Sequence, residues 1–143
     1  MRFHLIDGIT QYQRRTSIRG YKLCGRTEPY WRQGTIPNLL VVESFCQLAA
    51  WLVYLDTDKE KRAILVSFGN IIRCGTAHCG RLEHSVQVES YSSDLVAVHG
   101  SSTFNGKQVV NVSHLLCALI PAERLESSDS THIREHSLLK ELE

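Results

Sequence analysis

The chain has 143 residues, of which 43% are apolar and 22% are charged, the size and composition of a single globular domain. Its formal net charge of +1 provides no basic surface for a phosphate backbone, which argues against a nucleic-acid partner. The chain reaches Asp7 and Gly8 before an apolar run can form, so it lacks the layout of a signal peptide and is predicted to be cytoplasmic. The five cysteines have no disulfide-scaffold spacing and are expected to be reduced thiols.

The longest apolar segment, residues 36–56, reads IPNLLVVESFCQLAAWLVYLD. From Asn38, its expected N-cap, to residue 55 it has no glycine or proline and only one formal charge, which predicts a long buried helix covered by a sheet. The segment is slightly short for a bilayer span and carries Glu43 within it, which favours a soluble core helix over a membrane helix. Glu43 and Gln47 are four residues apart and project from one face. A buried carboxylate is costly unless it is used, so these two residues are candidates for function.

The rest of the chain is read mainly as strands, which are expected at residues 16–24, 63–68, 82–91, 95–104 and 108–120. The run at 63–68 is continuously apolar, which suits a strand covered on both faces. Asn105-Gly106 lies between the last two strands and is the strongest short signal of a β-hairpin. The prediction is an α+β domain at residues 1–122, with an antiparallel sheet around one helix, and a polar linker with a short helix at residues 123–143.

Three parts of the sequence resemble the β-hydroxyacyl-acyl-carrier-protein dehydratases, which have the hot-dog fold. FHLID at residues 3–7 is similar to the family's opening Phe-Leu-Leu-Val-Asp. EPYWRQG at 28–34, followed by LVVESFCQ at 40–47, is similar to Glu-Pro-Phe-Phe-x-Gly followed by Leu-Ile-Ile-Glu-Ala-Met-Ala-Gln. FNGK at 104–107 and LCA at 116–118 resemble the family's last hairpin. The likeness spans residues 3–120, and its helix motif is the most specific part.

The resemblance implies an activity: removal of water from a 3-hydroxyacyl thioester of an acyl carrier protein or CoA, giving the trans-2-enoyl thioester without a cofactor. In that family a histidine removes the proton next to the thioester carbonyl, and a carboxylate on the central helix of the other subunit helps the hydroxyl leave. A backbone amide at the helix start polarises the carbonyl. Carried over, Glu43 is the acid and Gln47 is the glutamine one turn later. An apolar tunnel would favour the protonated carboxyl group that a proton donor near neutral pH requires.

The sequence departs from the family pattern just before the helix. Where the family has Gly-His-Phe-Pro-Gly-x-Pro-x-x-Pro-Gly, this chain has GTIPN at residues 34–38, so Thr35 fills the histidine position and the loop is shorter. Three explanations follow. His78, in the loop of residues 74–80, reaches the site; or a homologous partner supplies the histidine to a site that Glu43 completes; or the chain is a non-catalytic partner subunit. We rank the homologous partner first.

The resemblance also predicts the residues beside the substrate, namely Gly34, Thr35, Pro37 and Asn38, with Tyr30 and Trp31 as a lid or as dimer packing. It implies a dimer with a second copy or with a hot-dog homologue. No membrane partner is expected, because the apolar helix is short for a bilayer span and carries Glu43. A different functional class is a hot-dog thioesterase, which uses one helix carboxylate as nucleophile or general base on an acyl-CoA. Glu43 suits that role too. The cysteines and histidine of CGTAHC, residues 74–79, have no structural-zinc spacing, so no metal is expected.

Overall fold

The computed structural model describes residues 4–25, 34–124 and 128–142. Its helices and strands, in chain order, are β1 (Gly8–Gln13), β2 (Ser17–Cys24), α1 (Asn38–Asp56), β3 (Lys61–Ser67), β4 (Asn70–Arg73), β5 (Gly80–Tyr91), β6 (Leu95–Phe104), β7 (Lys107–Pro121) and α2 (Ser128–Leu138). Within those residues the seven strands form one antiparallel sheet. The sheet runs β1-β2-β5-β6-β7 and ends in β3 and β4, which both pair with β7. The predicted α+β architecture, a sheet against one long helix, is the observed one.

The helix α1 lies at the centre of the core because its apolar residues pack against the sheet. Phe45, Leu48 and Leu52 are fully buried. Two strand glycines allow this close approach: a Cβ atom at Gly20 would lie 2.9 Å from Leu48 Cδ1, and one at Gly100 would lie 2.9 Å from Phe45 Cε2. The helix is long and apolar enough to cross a membrane, but 56% of its most apolar window is buried in the protein, as in the core helix of a soluble protein.

The first turns of α1 differ from the prediction that the helix is buried on every side. Leu39 is 83% exposed and Glu43 is also exposed, whereas Trp51 and Tyr54 near the other end are buried. The N-cap is Pro37 rather than Asn38, and it makes no side-chain capping hydrogen bond. The sheet of this chain therefore covers the second half of the helix more completely than the first half.

The strands agree with the sequence prediction in the hairpin and differ from it at the sheet edge. Asn105 and Gly106 have φ values of 51° and 75°, as a two-residue hairpin turn requires, and they join β6 to β7. The run at residues 63–68 was expected to be covered on both faces, but β3 lies at an edge and its residues 64–67 are exposed. The strands β1 and β4 were not predicted.

The C-terminal residues pack onto the sheet. The predicted helix at residues 133–142 begins earlier, as α2, and continues as a 3₁₀ turn, Leu139–Glu141. Leu138 is fully buried, and Lys59 Nζ lies 2.9 Å from Glu135 Oε1. The guanidinium of Arg134 donates to the carbonyl of Ile6. These contacts hold the residues before β1 between α2 and the rest of the domain.

Candidate active site

Glu43 projects from the second turn of α1, and its side chain is exposed in the single chain. The amide Nε2 of Gln47 donates a hydrogen bond to Glu43 Oε1 at 3.2 Å. The other end of the same amide, Gln47 Oε1, accepts from the backbone N–H of Leu5 at 2.8 Å. The expectation that the chain's own sheet encloses Glu43 in an apolar tunnel is therefore wrong, because Glu43 lies on the exposed side of the helix.

The helix that carries Glu43 packs against β3, which lies at an edge of the sheet. Burial raises the pKa of the Cys46 thiol to about 12, with further contributions from the nearby Glu43 and Cys117. Since Cys117 pairs with Leu65 of β3, the helix at Cys46 runs close to the middle of β3. Glu43 precedes Cys46 by about one turn of the same helix.

That edge is apolar on both β3 and β4. Its large exposed residues are Ile64, Leu65, Val66, Ile71 and Ile72, each between 43% and 57% exposed. An unpaired apolar edge is a site at which another chain can add strands. A chain bound there would also reduce the exposure of Glu43.

His78 is held beside the segment that leads into α1. The backbone N–H of Ile36 donates to the carbonyl of Ala77 at 3.0 Å, which ties the two loops together. His78 Nδ1 lies 3.2 Å from the carbonyl oxygen of Gly34. Because a carbonyl can only accept, Nδ1 carries the proton, and Nε2 of the neutral ring is left as a proton acceptor. The imidazole is exposed, so a substrate can reach it.

The other predicted contact residues lie at the same end of the helix. Gly34, Thr35 and Pro37 precede α1, and Asn38 is its first residue. The carbonyl of Pro37 accepts the first helical hydrogen bond, from Leu40 N at 2.9 Å. The predicted residues Tyr30 and Trp31 lie outside the described residues. Within the described parts of the chain, no group of three His, Cys, Asp or Glu residues has the geometry to hold a metal ion.

A buried hydrogen-bond chain behind Glu43 was missed by the sequence analysis. Ser44 Oγ lies 2.7 Å from His84 Nε2 and donates to the carbonyl of Leu5 at 2.7 Å. His84 Nδ1 lies 2.7 Å from Ser102 Oγ. All three side chains are at most 2% exposed. Two signals were available in the sequence: His84 lies on the apolar face of its predicted strand, and Ser44 lies within the apolar helix.

This buried pair resembles a serine nucleophile with its base, but the geometry excludes that role. The proton of Ser44 is donated to Leu5, so His84 must carry its own proton on Nε2 and donate it to Ser44. His84 Nδ1 then accepts from Ser102. Burial lowers the pKa of His84 to about 3, which keeps the ring neutral. The three side chains of this hydrogen-bond chain are buried in the protein interior.

Comparison with solved structures identifies the fold of the chain. No family model matches the chain. The solved structure of thioesterase HI1161 from Haemophilus influenzae superposes with a TM-score of 0.65 at 14% identity, over 84% of this chain and 80% of that one. A Streptococcus mutans protein bound to acetyl CoA superposes with a TM-score of 0.68 at 8% identity, over 85% and 94% of the two chains. The chain therefore has the hot-dog fold, as predicted.

The chain is also similar in sequence to a bacterial dehydratase. The chain is 27% identical over 112 residues to the 3-hydroxyacyl-[acyl-carrier-protein] dehydratase FabZ of Sorangium cellulosum, an alignment that covers 71% of this chain and 72% of the relative. A thioesterase of Pseudomonas aeruginosa, crystallised as a mutant, superposes with a TM-score of 0.63 at 15% identity, over 79% and 80% of the two chains.

Proposed function

We propose that the protein acts on acyl thioesters and dehydrates a 3-hydroxyacyl group carried by an acyl carrier protein or CoA, with Glu43 as the acid. The sequence similarity to a dehydratase supports the reaction type. The observation that carries the proposal is the hydrogen bond from His78 to Gly34, which leaves Nε2 of His78 free as a base beside Thr35, the residue in the family's histidine position. We therefore modify our initial ranking: His78 of a second copy is the first candidate for the base, and a homologous partner is the second.

The chemistry divides between the two side chains. His78 Nε2 takes the proton from C2, next to the thioester carbonyl, and the electrons of that C–H bond form the C2=C3 double bond. Glu43 donates its proton to the hydroxyl on C3, which leaves as water. The backbone N–H groups at the start of α1, at Asn38, can donate to the thioester oxygen on which negative charge develops. No cofactor takes part, because the thioester itself acidifies the C2 proton.

The assembly that this reaction needs is at least a dimer. A carboxyl group open to water is a poor proton donor at neutral pH. The helix that carries Glu43 packs against β3, which together with β4 forms the exposed apolar edge. Pairing of this edge with a second copy would cover the edge and enclose the carboxyl group. The resulting enzyme would be a soluble, cytoplasmic dimer with a site at each end of its interface.

Thioester hydrolysis is the second candidate, favoured by the exposure of Glu43 and by its hydrogen bond from Gln47. An ionised, oriented carboxylate can activate a water molecule or attack the thioester carbonyl directly. Either route adds the elements of water and releases a carboxylic acid and a free thiol. It requires no histidine, so it would tolerate loss of His78.

The test is the substitution Glu43→Gln, assayed with two substrates. A 3-hydroxybutyryl thioester reports dehydration through the absorbance of the enoyl product, and a saturated acyl-CoA reports hydrolysis through its free thiol. We expect dehydration by the wild type, and a loss of about 10²-fold or more in kcat for Glu43→Gln, the usual contribution of a general acid. The matched control is Glu60→Gln, which neutralises an exposed carboxylate in the turn after α1 and should retain full activity.

The same assay separates the alternatives. Thiol release from a saturated acyl-CoA that depends on Glu43 but not on His78 would establish the thioesterase. Turnover of neither substrate by the wild type, alone or with an added homologue, would contradict catalysis and leave a non-catalytic partner subunit. Full activity of Glu43→Gln in both assays would show that Glu43 is not a catalytic residue.

A further inference from the structure

Leu5 is joined to α1 through both of its backbone polar groups. Its N–H donates to Gln47 Oε1 at 2.8 Å, and its carbonyl accepts from Ser44 Oγ at 2.7 Å. Ser44 and Gln47 are three residues apart and therefore lie on one face of the helix. Leu5, which precedes the first residue of β1 by three positions, is thus fixed on the helix near Glu43.

The orientation of the Gln47 amide follows from this attachment. With Oε1 occupied by the N–H of Leu5, the amide presents its NH₂ group to Glu43 and donates to the carboxylate at 3.2 Å. A flipped amide would place its oxygen against the carboxylate and its NH₂ group against the N–H of Leu5, so both contacts would be repulsive. The Leu5 N–H therefore selects the amide orientation that stabilises and aims the carboxylate.

The position of Leu5 depends in turn on buried groups. Ser44 is 1% exposed, and its oxygen accepts from His84 Nε2 while its proton goes to the Leu5 carbonyl. His84 is fixed at its other nitrogen by Ser102 at 2.7 Å. Because the Leu5 carbonyl can only accept, it fixes the direction of the other bonds in this chain, and the Ser44 hydroxyl has one orientation.

We infer that Ser44 and His84 are positioning residues for Glu43: by fixing the Leu5 peptide groups they orient Gln47, and through it the carboxylate. The inference rests on the proposed function, in which Glu43 is the reacting group. Neither side chain touches substrate. Their effect should appear in the rate of the chemical step and not in substrate affinity.

The test is Ser44→Ala, compared with Val53→Ala as a matched control. Val53 is buried on the same helix, 1% exposed, and has no part in the hydrogen-bond chain. For Ser44→Ala we expect kcat to fall about tenfold with KM unchanged within about twofold, because misplacement of a reacting group acts on the chemical step. Ser44→Thr keeps the hydroxyl and should recover most of the loss. Assays are run well below the melting temperature of every variant.

A double-variant cycle separates positioning from general destabilisation. If Ser44 acts through Gln47, then Ser44→Ala in a Gln47→Ala background should lower kcat by less than about twofold further, whereas independent effects would multiply. Multiplicative losses, or an equal loss in Val53→Ala, would overturn the inference.

A measurement without substrate keeps the inference distinct from the proposed function. Amide hydrogen exchange of Leu5 should be at least about tenfold faster in Ser44→Ala and in Gln47→Ala than in wild type, because its acceptor is displaced or absent. Exchange of Leu5 in Ser44→Ala equal to that in Val53→Ala would contradict the positioning. Wild-type protein with no turnover, alone or with an added homologue, would refute the proposed function, and the Leu5 exchange rate would then decide the positioning by itself.

Discussion

His84 is a histidine whose surroundings require it to be neutral. It is 2% exposed, it donates to Ser44 through Nε2, and it accepts from Ser102 through Nδ1. A second proton would remove the bond from Ser102 and place an unpaired charge in the interior, which is unfavourable. Burial accordingly lowers the pKa of His84 from 6.5 to about 3.

The stability of the protein should therefore fall as the pH decreases from about 6.5 toward 3. In that range the unfolded chain binds a proton at His84 and the folded chain does not, so the free energy of unfolding decreases by up to about 1.4 kcal/mol per pH unit. Urea unfolding at pH 7, 6 and 5 measures this slope. His84→Gln should have a flatter slope than wild type, while His136→Gln, which removes an exposed histidine, should keep it. Equal slopes in the three proteins would show that His84 titrates normally in the folded state.

The parts of the site that could be predicted from the sequence are those encoded by local spacing. Glu43 and Gln47 are the polar pair of an apolar helix, and their hydrogen bond follows from a separation of four residues. The contact between Ser44 and His84 joins residues 40 positions apart and depends on the register of β5 against the helix, which no local pattern contains. The exposure of Glu43 was mispredicted because an apolar helix has the same sequence whether its own sheet or a second chain covers it.

The strand β3 was mispredicted for the same reason as the exposure of Glu43. A continuous apolar run was read as a strand covered on both faces, but β3 pairs only along β7, and Val66 is 55% exposed. An apolar strand has the same composition whether its own chain or a second chain covers it, so composition alone does not distinguish the two. The hairpin of β6 and β7 was predictable because Asn105-Gly106 specifies its own turn. The strand β4 has only four residues and too short a pattern to recognise.

If this edge is an interface between chains, a charge placed on it should separate them. Val66→Lys puts an ammonium group on the exposed edge strand β3, where a paired second strand would bury it at a cost of several kcal/mol. We expect sedimentation to change from dimer to monomer, with loss of catalytic activity and an unchanged circular dichroism spectrum. Leu23→Lys is the matched control, since Leu23 is 53% exposed but lies on β2, which is paired on both sides. A Val66→Lys protein that remains dimeric would place the interface elsewhere.

At the scale of the whole molecule, the single chain holds two halves of the chemistry at the same end of α1. His78 is fixed to Gly34 before the helix, and Glu43 lies about 7.5 Å further along the helix axis than Asn38, counted at the usual rise. The edge formed by β3 and β4 is the surface that a second copy would cover. A two-fold dimer through that edge would contain two equivalent sites, each with one base and one acid.

Mixing two inactive variants tests whether each site takes its base and its acid from different chains. Glu43→Gln removes the acid, and His78→Asn removes the base while keeping an amide N–H for the carbonyl of Gly34. Random exchange of subunits makes half of the dimers mixed, and each mixed dimer has one intact site, so about a quarter of wild-type activity should return. If the acid and base of a site came from one chain, every site in the mixture would have one defect and no activity would return. Val66→Lys in either variant should prevent the recovery, which ties it to the β3 edge. Full activity of His78→Asn by itself would show that His78 is not the base.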